Sequence, residues 1–280
     1  MIAAIVGAGP LATALASTLA ARGRVRHVRL IDDAGTVASG KALDIRQATP
    51  VLGSDVSIEA TADAGAAADA DVILIADAHG APGAEWEGEL GLALVGRLAA
   101  ANRRAPIVCA GARQASLVER GVTEQRLPWT RILGSASIAF DAAARAVVAE
   151  AAGTTSRAVA LALAGLPPAR LVVGWSASSI DGTPAETRLA PGALATAARR
   201  LTAAWPPGPF ALAAAAALLL EHLQEASAAS LPALVAAPGQ GHRAGIARVR
   251  VGPSGVLQAA EPSLSPYERI ALDNAIASRR

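Results

Sequence analysis

The sequence is poor in cysteine and aromatic residues and has no very long apolar run. Its single cysteine, Cys109, excludes an internal disulfide and suits a reducing compartment. Aromatic residues make up only 2% of the chain, so the core must consist mainly of Ala, Val, Leu and Ile. The strongly apolar segment 210–220 is shorter than the ~20 residues that cross a bilayer, which favours a buried helix. The first residues enter a predicted strand without a charged leader, so we expect a cytoplasmic protein that does not contact membranes.

Clusters of charge and of metal-ligating side chains are also missing from the sequence. The net charge is +2, and the basic residues, almost all Arg, form no patch, so nucleic-acid binding is not expected. His27, His222 and His242 lack the spacing of metal ligands, and we predict no metal site. Cys109 lies in an apolar segment and is expected to be a small buried side chain rather than a nucleophile.

The first 33 residues carry the pattern of a dinucleotide-binding unit. An apolar run over residues 1–6 predicts a buried strand, and a helix of small residues begins just after the glycines that follow it. Gly7 permits a tight turn, Gly9 lets the backbone approach a pyrophosphate, and Ala12 allows the helix to pack closely on the strand. This order of strand, glycines and helix predicts a nucleotide-binding architecture.

Acidic residues follow at the distance that the pattern requires. Asp32 comes 20 residues after Ala12 at the end of a second predicted strand, where a carboxylate accepts a hydrogen bond from a ribose 2′-hydroxyl. This position favours NAD over NADP, and Asp33 strengthens the preference. The segment 35–41 has the spacing of a phosphate-binding P-loop, but Ala42 stands where that motif needs Ser or Thr. We interpret it as a false match.

Strands that alternate with helices predict an α/β fold, a doubly wound parallel (Rossmann) sheet, over residues 1–138. Residues 139–280 lose this alternation and predict a second, α+β domain. A turn-rich start is expected at 34–39. Further strands are predicted at 56–59, 71–76, 106–110, 130–133, 159–164, 170–174, 245–251 and 256–259. Further helices are predicted at 141–152, 190–204, 210–227 and 265–280, and another follows the loop at 79–83 and ends at 104.

In this order, the segments resemble the lactate/malate dehydrogenase family. The residues 40–48 are similar to its G-x-A-L-D-L-x-x-A helix, which is the most specific local match. Other matching segments are 7–9, 30–32, 71–75, 82–83, 131–134, 251–256 and 264–272. The resemblance implies NAD as the small-molecule partner and a homodimer or homotetramer assembled through the helix at 42–48. The cofactor-binding residues that it implies are Gly7, Gly9, Leu11, Ala12, Asp32 and Ala78.

The groups that the family uses for chemistry are missing at the matching positions. The family needs a His acid/base, an Asp that orients it and Arg residues that hold the substrate carboxylate. Phe140 stands at the Asp position, Ala143 at an Arg position, and Leu166 and Pro167 fall in the segment that should hold the His. Asp141 is displaced by one residue, roughly 100° around a helix. Losing an acid/base group costs about 10²–10⁴ in rate, so ordinary 2-hydroxy acid oxidation is not expected.

The substrate loop and the fifth strand depart from the family in the same way. Gly80, Ala81 and Trp86 replace the expected loop arginines, and Gly111 replaces an Asn. We expect Trp86 to pack rather than to bind substrate.

Cofactor binding is also expected to be weak or lost. Pro10 has no N–H to donate to a pyrophosphate. Asp77 and Ala78 replace the family's Ala-Gly at the end of the fourth strand, and a carboxylate there would repel a pyrophosphate by about 1–4 kcal/mol at ~4 Å.

Few other side chains are candidates for chemistry. Asp77 and His79 could form a replacement acid/base pair, although a base must reach the proton that it removes. Asp141 is expected at the N-terminus of its helix, and Arg145 is expected to make a structural ion pair.

Three functions are therefore open. The first is a dehydrogenase-like NAD-binding protein without catalysis, a pseudoenzyme that serves as a nucleotide sensor or partner protein. The second is an active NAD-dependent oxidoreductase that uses His79 on a substrate without a carboxylate. The third is a structural oligomer without a ligand.

Overall fold

A computed structural model describes residues 1–80 and 84–277 of the chain. The strands are β1 Ile2–Val6, β2 His27–Ile31, β3 Ser57–Thr61, β4 Val72–Ile75, β5 Ile107–Cys109, β6 Ile132–Gly134, β7 Val159–Ala160, β8 Leu163–Leu166, β9 Arg170–Val173, β10 Ser179–Ile180, β11 Thr183–Pro184, β12 Leu231–Val235, β13 Gly245–Gly252 and β14 Gly255–Ala260. The helices are α1 Pro10–Arg22, α2 Gly35–Ala48, α3 Gly88–Ala101, α4 Ala115–Thr123, α5 Ala136–Ala152, α6 Ala185–Arg188, α7 Pro191–Ala203, α8 Pro209–Glu225 and α9 Pro266–Ala277.

Within these residues, one nine-stranded sheet runs in the order β14-β13-β12-β6-β5-β4-β1-β2-β3. Strands β1 to β6 pair in parallel, and helices cover both faces, which is why β4 is buried along its whole length. Helices α1, α2 and α8 pack on one face, and α3 and α4 pack on the other. The predicted α/β class with a parallel Rossmann sheet is confirmed.

The second half of the chain extends this sheet. Strand β12 pairs antiparallel with β6 through Leu234 and Gly134, and β13 and β14 follow as a hairpin. Two smaller sheets, β7-β10-β11 and β8-β9, lie beyond it in the described part of the chain. The residues from 139 onward therefore contribute three strands to the same sheet as the first half.

Several predicted boundaries are wrong. Helix α2 begins at Gly35, so a regular helix replaces the turn-rich start expected at 34–39. The same helix contains the whole segment 35–41, which agrees with its interpretation as a false P-loop match. The strand expected at 159–164 is split into β7 and β8. The predictions for Ala81, for 82–83 and for the final helix beyond residue 277 lie outside the described residues.

The core is made of small and branched aliphatic side chains. Helices α1 and α8 pack closely together and bury Ala16, Ala20, Ala213 and Ala216. Cys109 is buried in β5, which confirms the predicted small buried side chain, and burial raises the pKa of its thiol to about 12. No helix of the described residues is long and apolar enough to cross a membrane.

Candidate functional site

The candidate site lies at the carboxyl end of the parallel strands, around the loop that joins β1 to α1. Gly7 has a φ of +123°, and its N–H donates to the carbonyl of Ile31 at 2.7 Å. A Cβ on Gly7 would lie 2.1 Å from the carbonyl oxygen of Asp77. The sequence predicted that this turn requires glycine. The structure gives the reason, since any side chain here would collide with the backbone at the end of β4.

The carboxylate of Asp77 binds the N-terminus of α1. Its two oxygens accept hydrogen bonds from the N–H groups of Leu11 at 3.1 Å and Ala12 at 2.8 Å. The Asp77 residue is only 3% exposed. Gly9 makes room for this carboxylate, since a Cβ on Gly9 would lie 2.3 Å from the Asp77 Cγ. Asp77, which was predicted to stand close to a pyrophosphate, therefore binds the helix terminus directly.

The other backbone donors of the first turn are also in use or missing. Pro10 has no N–H, and the N–H of Thr13 donates to the carbonyl of Gly9 at 3.0 Å. The N–H of Gly9 donates to the carbonyl of Asp77 at 2.9 Å. Residues 9–13 thus have no backbone donor left for a bound anion while Asp77 stays in place.

Asp32 follows β2, as predicted, but its oxygens are engaged by the protein. One oxygen accepts a hydrogen bond from the N–H of Ala34 at 2.8 Å, and the other accepts one from the N–H of His79 at 2.9 Å. Asp32 is 6% exposed. The predicted ribose acceptor is therefore covered by the loop that follows Asp77.

The proposed acid/base residues are close in sequence but have separate contacts. His79 donates its backbone N–H to Asp32, and the residue itself is exposed. Asp77 directs its carboxylate to α1 instead. Ala78, predicted as a cofactor contact, donates its N–H to the carbonyl of Ala84 at 3.1 Å.

Glu85 is a site residue that sequence reasoning missed. It pairs with Asp77 in an antiparallel bridge, and its carboxylate accepts hydrogen bonds from the N–H groups of Ala112 at 3.0 Å and Arg113 at 2.7 Å. Burial raises the pKa of Glu85, while those two N–H groups oppose the rise. A Cβ on Gly111 would lie 2.2 Å from a Glu85 oxygen, so the missing Asn of the family leaves room for this carboxylate.

Apolar side chains lie at the positions where the family pattern calls for the Asp and His groups. Phe140 is fully buried, and its ring meets Trp205 edge-on with the ring centroids 5.6 Å apart. Trp86 packs against the apolar cluster between the sheet and helices α3 and α4, which confirms the packing prediction. Leu166 ends β8 at the turn into β9, where the family pattern calls for the His segment.

Asp141 corrects one prediction and confirms another. Helix α5 begins at Ala136, so Asp141 lies beyond its first turn and is not an N-terminal acid. Its Oδ2 lies 2.9 Å from Nε of Arg145, which confirms the expected structural pair, while Oδ1 has no hydrogen-bond partner in the described chain. Burial raises the pKa of Asp141, and the charges of Arg145 and Arg248 oppose that rise.

A sequence profile described as lactate/malate dehydrogenase, NAD binding domain, matches residues 2–116. The malate dehydrogenase of Anaplasma marginale (strain Florida) is 41% identical over 71 residues, which is 25% of this chain and 22% of that protein. The matched segment thus spans about a fifth of the length of the curated relatives.

Two solved structures show how far the fold itself is shared. The malate dehydrogenase from Aeropyrum pernix has a TM-score of 0.87 at 20% identity and covers 99% of this chain and 96% of that one. The lactate dehydrogenase from Cryptosporidium parvum, complexed with lactic acid and NAD, has a TM-score of 0.87 at 21% identity and covers 99% and 95%. At these identities the likeness establishes the fold.

Proposed function

Because this chain belongs to the lactate/malate dehydrogenase family through its NAD-binding domain, we propose that it is a non-catalytic member that acts as a partner protein. In this proposal the fold is retained while the chemistry of 2-hydroxy acid oxidation is lost.

The observation that carries the proposal is the environment of Phe140. Oxidation of a hydroxy acid needs a base that is held in place by a carboxylate, and Phe140 fills the carboxylate position with a ring buried against Trp205. No rotation of the neighbouring Asp141 serves instead, because its carboxylate is held by Arg145 on the same helix. An acid/base group accounts for about 10²–10⁴ in rate, so its loss removes most dehydrogenase activity.

Substrate recognition is lost independently of the acid/base pair. A 2-hydroxy acid is held by the paired N–H groups of an Arg, for which Ala143 offers no substitute. Trp86, which stands in place of a loop arginine, is partly buried and packs against an apolar cluster of the core. Because the acid/base pair and the carboxylate-binding Arg are separate functional groups, although Phe140 and Ala143 both lie on α5, restoring one of them does not restore turnover.

A turnover screen tests the proposal. Purified protein is incubated with NAD and lactate or malate, and with NADH and the two corresponding oxo acids, while absorbance of NADH is followed. We expect no turnover above the protein-free rate. The Aeropyrum pernix malate dehydrogenase serves as a positive control. A rate near 1 s⁻¹ or above, the lower end of ordinary enzymes, would contradict the proposal.

The same screen addresses the alternative in which His79 acts on another substrate. Alcohols and aldehydes without a carboxylate are included with NAD and NADH. Turnover that disappears in His79→Gln would replace the proposed function with an oxidoreductase of unusual chemistry. The geometry gives this alternative less support, because Asp77 already binds α1.

A further inference from the structure

The loop after β4 is attached to the nucleotide cleft at three places. Through these attachments the loop occupies the cleft. We use the name plug loop for its described residues, 77–80 and 84–85. Asp77 binds the N–H groups at the start of α1, His79 binds Asp32 through its backbone, and Glu85 binds the N–H groups of residues 112 and 113. The bridge between Asp77 and Glu85 joins the two ends of the loop.

A dinucleotide does not fit this arrangement. Its pyrophosphate needs the N–H groups of the α1 terminus, and in this structure those of Leu11 and Ala12 already donate to Asp77. Its ribose needs Asp32, which lies beneath the backbone of His79. Both recognition points are thus taken by the same loop.

We propose that the plug loop is an intramolecular replacement for the dinucleotide, with the Asp77 carboxylate in the place of the pyrophosphate. The carboxylate supplies the negative charge that a helix N-terminus favours, and it satisfies two backbone donors that would otherwise be buried without partners. The Asp77 side chain thereby accepts the hydrogen bonds at the start of α1 that the pyrophosphate of a bound cofactor would accept. The fold is complete without NAD.

Gly9 gives this proposal a second, independent support. In a dinucleotide site this glycine lets a phosphate approach the backbone. Here the same absent Cβ leaves space for the Asp77 carboxylate, whose atoms lie 2.3–2.6 Å from where that Cβ would be. The glycine loop is thus matched to an internal anion in the same position.

Displacing the plug requires several contacts to break together. A dinucleotide entering the cleft must move Asp77 from two N–H groups and separate His79 from Asp32, while Glu85 anchors the far end of the loop. Apparent affinity falls by the fraction of molecules in which the cleft is open. The charge of a displaced Asp77 nearby lowers the affinity further.

Amide resonances of the intact protein test the proposal directly. Uniformly ¹⁵N-labelled protein is titrated with inorganic pyrophosphate and, separately, with NAD, and the Leu11 and Ala12 N–H signals are followed. We expect no saturable shift of either signal in the unmodified chain at millimolar ligand. Saturable shifts of both signals with either ligand would overturn the proposal, whatever the behaviour of any variant.

A pair of variants then tests whether Asp77 is what prevents pyrophosphate from binding at the start of α1. Asp77→Ala vacates the helix terminus, and Asp33→Ala is the matched control, because it removes an exposed carboxylate beside the same cleft. We expect Asp77→Ala to bind pyrophosphate at least tenfold more tightly than Asp33→Ala by calorimetry, with shifts of the Leu11 and Ala12 signals. Equal affinity of the two variants would overturn the proposal.

The proposal is independent of the proposed function. If the unmodified chain binds NAD through Leu11 and Ala12 but turns over no substrate, the plug is wrong and the non-catalytic function stands. If a substrate is turned over while these two amide signals stay unperturbed, the non-catalytic function is wrong and the plug stands.

Discussion

The carboxylate of Asp77 accepts a hydrogen bond from the N–H of Ala12 at 2.8 Å, across a sequence separation of 65 residues. This contact joins the end of β4 to the first turn of α1, the two elements that frame the nucleotide site of the fold. Because the bond is buried and carries a charge, it acts on the stability of the site as well as on what the site can bind.

Replacing Asp77 with Ala is therefore expected to destabilise the protein. The N–H groups of Leu11 and Ala12 lose their acceptor, and losing such a helix cap costs about 1–2 kcal/mol. Urea unfolding measures the loss, with Asp33→Ala as the control that removes an exposed carboxylate. A free energy of unfolding equal to that of the control would mean that water replaces Asp77 without cost.

Glu85 is expected to make stability depend on pH. Burial raises the pKa of its carboxyl in the folded protein, so the stabilising contribution of the protonated form is complete below about pH 4.3 and is lost as the pH rises through the raised value. Glu85→Gln should flatten the fall in unfolding free energy between pH 4 and neutrality. Unfolding curves at several pH values measure this slope.

Glu87→Gln is the matched control for that experiment. Glu87 is two residues away and exposed, and its charge adds less than burial does to the rise in the pKa of Glu85, so Glu87→Gln should flatten the pH dependence less than Glu85→Gln does. If both variants change the slope equally, the effect comes from net charge and not from Glu85 itself.

The ion pair within α5 predicts an unequal response of two arginines. Arg145→Ala leaves the carboxylate of Asp141, whose side chain is 6% exposed, without its partner, and we expect a loss of about 1–3 kcal/mol. Arg200→Ala removes a partner of Glu150, which is on the surface of the same helix, and should change stability little. Adding Asp141→Asn to Arg145→Ala should recover part of the loss. Equal costs for the two arginine variants would contradict the role assigned to burial.

Much of the fold could be predicted because its signals are local. Asp32 was expected at the end of a strand, and it follows β2. Gly7 was expected at a tight turn, and it has a positive φ there. In both cases neighbouring residues determine the backbone, so a short stretch of sequence holds the information.

The errors have equally specific causes. Strand β12 was missed because Pro232 stands inside it, and proline removes a donor that a strand normally uses. The start of α5 was placed too late because Ser135 makes no side-chain cap and the first turn holds no acidic residue. No local sequence signal therefore marks the residue at which α5 begins.

The contacts of the site could not be predicted at all. The bond from Glu85 to Arg113 spans 28 residues, and that from His79 to Asp32 spans 47. Each depends on which strands are neighbours in the sheet. Asp77 was expected to be near a pyrophosphate, but only the folded chain places its carboxylate on the helix terminus that a pyrophosphate would use.

Helix α2 is the proposed contact between copies of the chain. The segment 42–48 keeps the family pattern, and Leu43 is 45% exposed, with Val51 87% and Leu52 48% exposed just beyond the helix. We expect a dimer or a higher oligomer at micromolar concentration, and we expect Leu43→Glu to shift it to monomer by light scattering.

Leu90→Glu is the control for the oligomer. Leu90 is 77% exposed on α3, which packs on the opposite face of the sheet. A monomeric unmodified chain would refute the assembly, and dissociation by both substitutions would refute the role of α2.

Asp32 is expected to set the choice of nucleotide once the plug is removed. In an Asp77→Ala background, NAD should bind more tightly than NADP, because the Asp32 carboxylate accepts a ribose hydroxyl and repels a 2′-phosphate. Adding Asp32→Ala should weaken NAD and reduce the preference, and it also frees the N–H groups of Ala34 and His79. Calorimetry with both nucleotides on the single and double variants measures the two effects separately. If the ratio of the NAD and NADP affinities is unchanged by Asp32→Ala, this carboxylate does not contact the ribose even when the cleft is open.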